Sequence, residues 1–435
     1  MSRSDEMKRQ RKERERIKAE VSKIKKNRSK ENDIDDEILE EDAEVIEKLS
    51  KKEKKALDKE NNPEKYKDSG KKKFCVVVII LLSLVILSGI GYIVYNHFFG
   101  PKYLISNQFT VPVEEFKIKT FDTKSKTRPF AVMIDNNENA WPQFNINEAL
   151  VVYEMNVEGG LSRLMAIFKD KPKLEKIGPL RSARHYFLDY VKEYDAIYVH
   201  EGYSPRAISE INSRGIDSVV YTSGLFYRDE SRYAPHNAIT SGQRMIDAAK
   251  KRKFSLTTKT KTPLKYSPFR VKLEKPISAQ TITTGFGSYA SLKLEYNEKT
   301  KKYEKHEIGE LIKDGVTNKP LAATNIILVH SDPVLLTGYG EGKGRVDIDT
   351  TESMTGYYVT RGEAVKIKTS KKNRDAQTKY MLMDGKELKV NDGNTFIFLI
   401  PKNQKINIKG SDKERNNDDL ETKEETIKRI LESRK

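Results

Sequence analysis

Between residues 128 and 240, four polar blocks carry the residue types from which a binding or catalytic site could be assembled. In the first, Asp135-Asn136 follows the apolar run 130–134, and strand ends are where open α/β sheets gather ligand contacts. The plainer reading is a turn with Asx side chains capping the next segment. The second block, 154–163, reads Glu-Met-Asn-Val-Glu-Gly-Gly-Leu-Ser-Arg. Strand alternation puts Glu154 and Glu158 on one face if the strand continues, and Gly159-Gly160 permits a close turn at positive φ. Two carboxylates so placed could hold a divalent cation or serve as acid and base. Alternatively, they are one salt-bridged and one exposed glutamate at a structural hairpin.

The third block, 177–184, is Ile-Gly-Pro-Leu-Arg-Ser-Ala-Arg. Gly-Pro makes a turn, and Ser182 fits the N-cap of a following helix. First-turn backbone donors with Arg181 and Arg184 would then form an anion site; the alternative is capping plus ion pairs with Glu154, Glu158 or Asp189. In the fourth, His200-Glu201-Gly202 closes a strand, and Arg228 and Arg232 lead into Ala234-Pro235-His236-Asn237. Histidines beside carboxylates can carry protons or bind metal, but neither spacing is that of a zinc site, so no metal and no cofactor is assigned. A Gly-x-Ser-x-Gly nucleophile elbow is absent from the sequence. The expected ligand-binding set is Asp135, Asn136, Gly159, Gly160, Arg163, Arg181, Ser182, Arg184, Arg228 and Asn237. Any catalysis would draw on Glu154, Glu158, His200 or His236.

The elements that must position these residues are legible as runs. Short apolar runs at 130–134, 150–155, 196–200 and 217–221 read as strands. Helical spacing at 182–194 and 241–251 falls between or after them, which argues an α/β domain over 128–262 with a partly parallel sheet. From 263 to 405 short β-rich segments at 269–274, 280–284, 291–296, 325–330, 345–349, 357–359, 365–368, 379–383 and 395–399 are divided by turns such as Asp384-Gly385 and Asp392-Gly393. That pattern predicts a mainly antiparallel β domain. A connector (97–127) precedes these regions, and a polar tail (406–435) with a helix near 422–433 follows.

The segment 74–96 contains no charge and no proline. About 20 apolar residues at ~1.5 Å rise cross a ~30 Å hydrocarbon core, and a helix satisfies its own backbone donors there. The segment is therefore expected to be a single transmembrane helix. Lys71, Lys72 and Lys73 abut its start, which places residues 1–73 in the cytoplasm and the remainder outside the plasma membrane. The sole cysteine, Cys75, lies in this segment, so the outer region has neither disulfide nor thiol nucleophile. The net charge of +17 suggests nucleic acid as a partner, but this topology sets that aside. Anionic envelope polymers or lipid headgroups suit the outer region better. Residues 1–73 alternate basic and acidic blocks, reading as a disordered or singly helical arm. The basic stretch 1–30 could dock an acidic groove on a cytosolic adaptor.

Taken together, 128–136, Val152-Tyr153-Glu154 with Val157-Glu158-Gly159-Gly160, 177–184, 194–200, and Arg228-Asp229 with Pro235-His236-Asn237 resemble the YerB-like family of bacterial envelope proteins. The β half at 338–349 and 378–401 extends the resemblance. Its two halves form a two-part domain of unknown function, and the resemblance implies a membrane-anchored or lipoprotein-like protein of a Gram-positive bacterium. This chain differs from the lipoprotein form in having a spanning segment and no lipobox cysteine. The sequence therefore points to an extracytoplasmic envelope accessory protein that binds an anionic or cell-wall ligand. Its alternatives are a hydrolase or transferase acting on envelope glycan or phosphodiester, and an assembly factor docking a cytosolic adaptor through its basic arm.

Overall fold

The computed structural model describes residues 78, 81–84, 87–92, 103–106, 109–112, 116–337, 344–411 and 423–432, in two compact units divided after Gly100. In the first unit the described residues of the apolar segment are helical, with Leu81, Leu82, Leu84, Leu87, Ile90 and Tyr92 exposed. Among the described residues no helix is long and apolar enough to cross a membrane. The spanning segment expected at 74–96 lies largely outside the described residues, as does the cytoplasmic arm.

The second unit is strand-rich with few helices, and its frame is a mixed sheet of eleven strands. Strands Phe130–Ile134 (β1), Val151–Asn156 (β2), Ser162–Phe168 (β3), Ile197–Val199 (β4) and Ser218–Val219 (β5) form one flank, in the order β2-β3-β1-β4-β5. The pairs β2–β3 and β3–β1 are antiparallel, whereas β1–β4 and β4–β5 are parallel. Asn325–His330 and Thr395–Ile400 continue the same sheet. Thr395–Ile400 lies parallel between Asn325–His330 and β2, and the antiparallel strands Thr355–Thr360 and Glu363–Ser370 extend it further. The stretches read apart at residue 262 thus complete one sheet. The cause is composition: Phe396-Ile397-Phe398-Leu399 is buried throughout, and an uninterrupted apolar run suits an interior strand covered on both faces.

Alternation along the strands divides the core into two layers. Val132, Val152, Leu164, Ala166 and Phe398 face one side, against a six-stranded antiparallel sheet containing Thr281–Gly285, Ser291–Asn297 and Lys302–Glu307. Met133, Tyr153, Met165, Ile167 and Ile397 face the other, against Tyr186, Phe187 and Tyr190 on the helical stretch 185–193 and Ala207 and Ile211 on Pro205–Ser213. Gly242–Lys251 packs Met245 and Ala248 on the first side. The tail helix Lys423–Glu432 packs Ile427 and Ile430 against Phe116.

Candidate functional site

The two-residue period sorts the polar blocks onto opposite faces of the sheet, and so into two clusters. Glu154 shares its face with Val152 and points between the sheets, where it is almost wholly enclosed. Ser162 Oγ donates to Glu154 Oε1 at 2.6 Å, and Asn136 Nδ2 donates to the same oxygen at 3.1 Å. Lys305, which alternates inward with Tyr303 and Glu307 on Lys302–Glu307, places Nζ 2.9 Å from Glu154 Oε2 and 2.6 Å from Glu307 Oε2. Asn136 also donates to Glu307 Oε1 at 2.8 Å and accepts from Gln143 Nε2 at 3.0 Å. Burial raises the Glu154 carboxyl to about 7, against the pull of Lys305 and with reinforcement from the neighbouring Glu307. Burial alone would lower the Lys305 ammonium, but the two carboxylates outweigh it and raise it.

The second cluster lies at the same end of the sheet on the helical side. Asp135, next after β1, is buried, and its Oδ2 meets His236 Nδ1 at 2.7 Å and Arg181 Nε at 3.2 Å. The Arg181 contact is a charge contact rather than a directed hydrogen bond. Arg163 on β3 donates to the Ser182 carbonyl at 2.7 Å and lies 3.8 Å from Glu158. Arg184 is doubly bonded to Glu158, through Nε to Oε2 at 2.9 Å and through its terminal nitrogen to Oε1. Burial on its own would raise the Glu158 carboxyl. The Arg184 hydrogen bonds and the charges of Arg163 and Arg184 overcome this and lower it to about 2. Burial, and then the charge of Arg184, lowers Arg163 to about 10; Arg181 adds to the effect, while Glu158 and Asp135 oppose it.

Three expectations about local geometry are corrected. Glu154 and Glu158 do not share a face, because the strand ends at Asn156 and residues 158–160 form a 3-10 turn. Gly159 and Gly160 do adopt positive φ, 73° and 72°, and that turn delivers Glu158 to Arg184. Ser182 is not an N-cap: the helical stretch starts at His185, and Arg184 in the cap position makes no side-chain cap bond. Two backbone donors of this segment are already spent, Arg181 N on the Met133 carbonyl and Ala183 N on the Gly202 carbonyl. The anion site expected from a helix N-terminus at Ser182 is therefore absent, because no helix begins there.

His200 joins neither cluster. It is fully buried between Gly202 O (2.8 Å) and Ser218 Oγ (2.7 Å), and burial lowers it to about 4. Arg228 pairs with Glu201 at 2.6 Å and donates to Asn237 Oδ1 at 3.0 Å. Its side chain is 43% exposed and that of Arg181 is 24%, against 6% and 7% for Arg163 and Arg184. Solvent therefore meets the arginines chiefly through Arg181 and Arg228. Sequence reasoning missed Lys305 and Glu307, which the inner-face alternation Tyr303-Lys305-Glu307 could have revealed. It also missed His185, whose Nε2 lies 2.7 Å from Asp347 Oδ1.

Both halves of this arrangement match known family models. Residues 118–255 match "Protein of unknown function (DUF3048) N-terminal domain" and residues 282–397 match the corresponding C-terminal domain. The chain belongs to this YerB-like, two-part family of unknown function. It is similar to "Putative lipoprotein YerB" of Bacillus subtilis (strain 168), with 29% identity over 289 residues that cover 65% of this chain and 84% of that protein. The crystal structure of YerB from Bacillus subtilis shares the fold with a TM-score of 0.57 at 28% identity, covering 65% of this chain and 94% of that one.

Proposed function

We propose that the protein is a membrane-anchored extracytoplasmic envelope protein whose folded region binds an anionic or cell-wall ligand at the polar end of the sheet. One observation carries the ligand reading. Asp135, Glu158, Arg163, Arg181, Arg184 and His236, from separate sequence blocks, converge there, with three arginines set against two carboxylates. Arg163 and Arg184 are spent on fixing Glu158, whereas Arg181 and Arg228 reach solvent and suit bidentate contact with phosphate or carboxylate. The anchor reading draws on the uncharged segment 74–96 and its exposed leucines, and on the lipoprotein name of the Bacillus subtilis relative. The catalytic alternative keeps one unit, the Asp135–His236 pair, since Glu154 and His200 are enclosed by their own partners and out of a substrate's reach.

The test is binding of the full-length protein to peptidoglycan fragments, teichoic acid and inorganic phosphate, with Arg181→Gln/Arg228→Gln beside the parent. Removing two charge-assisted contacts should weaken binding at least about ten-fold with the unfolding midpoint retained. Equal affinity of parent and variant for all three probes would remove this reading.

A further inference from the structure

A cavity of about 460 Å³ opens elsewhere on the folded unit, between the segments 118–126 and 258–266. Its size falls in the range of small-molecule sites, roughly 300–1,000 Å³. The wall is apolar and partly aromatic: Ile118, Phe121, Leu150, Ile167, Leu264 and Tyr266 line it. Phe121 meets Tyr266 edge-on with ring centroids 5.3 Å apart. Leu150, Ile167 and Leu264 are core residues of the helical-side layer, so the cavity is a cleft leading onto the core.

Around this apolar wall stand Lys124, Lys126, Lys169, Lys259, Lys261 and Lys265, against one lining carboxylate, Asp122. Among the described residues, Lys124, Lys126, Lys259 and Lys261 pair with no carboxylate, and Lys169 donates only to the Ser125 and Thr127 carbonyls, at 3.2 and 2.6 Å. Lys169, Phe121 and Leu150 also line a second cavity of about 350 Å³, whose wall is more polar and mixed in charge, with Lys119, Lys171 and Lys302 beside Glu148 and Asp392; there Lys171 pairs with Glu148 at 2.5 Å. The apolar cleft thus carries its own cationic rim, most of whose lysines have no anionic partner among the described residues. Lysine stems can flank an apolar chain while their ammonium groups meet its charged end, and basic clusters attract anionic headgroups.

We infer that this cleft binds an anionic lipid, its chain lying along the wall formed by Phe121, Tyr266, Leu150 and Leu264 and its acidic headgroup held by the rim lysines Lys126, Lys259 and Lys261. The ligand chemistry is that of a long apolar chain bearing a phosphate or carboxylate. A small anion lacks the chain, and a neutral amphiphile lacks the charge. The inference is independent of the Arg181 site, which shares no lining residue with the cleft.

The experiment uses the full-length protein in phosphatidylcholine nanodiscs, with 11-(dansylamino)undecanoic acid as the fluorescent probe and empty nanodiscs as the blank. Expected are saturable probe binding above the blank and displacement by dodecyl phosphate. Dodecyl maltoside and inorganic phosphate should not displace the probe at the same concentration. The Lys126→Gln/Lys259→Gln/Lys261→Gln variant changes only exposed side chains and should bind at least about ten-fold more weakly, whereas Arg181→Gln/Arg228→Gln should bind as the parent does. Equal displacement by dodecyl maltoside would reduce the cleft to a generic apolar surface and overturn the inference. So would unchanged binding by the lysine variant, or a signal no greater than that of empty nanodiscs.

Discussion

Lys305 lies 2.9 Å from Glu154, although the two sit on different sheets and in the two different halves of the family's domain pair. Both are almost completely enclosed, so the contact joins the antiparallel sheet to the central one through charge in the middle of the core. A buried pair of this kind is weak evidence for stability in itself, since desolvation offsets much of the attraction. Its removal by halves is a different matter.

Lys305→Met leaves Glu154 and Glu307 facing each other with Asn136 and Ser162 but no cation. Breaking a buried pair by deleting one partner costs about 3–5 kcal/mol, so at pH 8, above the raised Glu154 value of about 7, the urea midpoint of the variant should fall well below that of the parent. A loss under about 1 kcal/mol would mean that the carboxylates are neutral or solvated in the folded state.

The same cluster should make stability depend on pH in an uncommon direction. The Glu154 carboxyl is raised from 4.5 to about 7, so between those values the folded state holds a proton that the unfolded chain has lost. Stability from this group is fully present below about pH 4.5 and is lost as pH rises through about 7. Glu154→Gln is neutral throughout and should flatten that part of the profile. Urea midpoints taken from pH 4.5 to 8 for the two proteins decide it: parallel curves would rule out Glu154 as the titrating group.

The sequence disclosed the elements better than it disclosed the site. Asn325–His330 falls on its expected bounds, and the helix at Gly242–Lys251 follows its apolar spacing after the Ser241 cap. Lys302–Glu307 was invisible as a strand because its inward residues include Lys305 and Glu307, which read as a solvated run. Pro205–Ser213 was also passed over, although Ser204 caps it and proline opens it. The expected strand at 269–274 gives way to Lys265–Ser267, which pairs parallel with Lys389–Asn391. In the site, residue types near each other in sequence were separated by the face they occupy: Glu154 and Arg163 differ by an odd number of register steps across β2 and β3, and so serve different clusters. Only the pairing register shows this. The partnership of Asp135 with His236 depends on long-range topology, which local patterns do not contain.

Glu158 supplies a prediction of opposite sign to Glu154. Its carboxyl is lowered from 4.5 to about 2 despite partial burial, because Arg184 and Arg163 hold the charged form. Stability from a depressed acid is present above about pH 4.5 and is lost as pH falls through about 2. Glu158→Gln removes the charge that Arg184 and Arg163 share, so the variant should be less stable than the parent at pH 6. The gap should shrink steadily as both are titrated from pH 4.5 toward 2. Glu154→Gln should instead gain on the parent as pH rises from 4.5 to 7, so the two variants diverge on opposite sides of pH 4.5. If the Glu158→Gln gap stays constant down to pH 2, then the Arg184 contact contributes by packing and hydrogen bonding alone, and the arginine cluster does not hold this carboxylate charged.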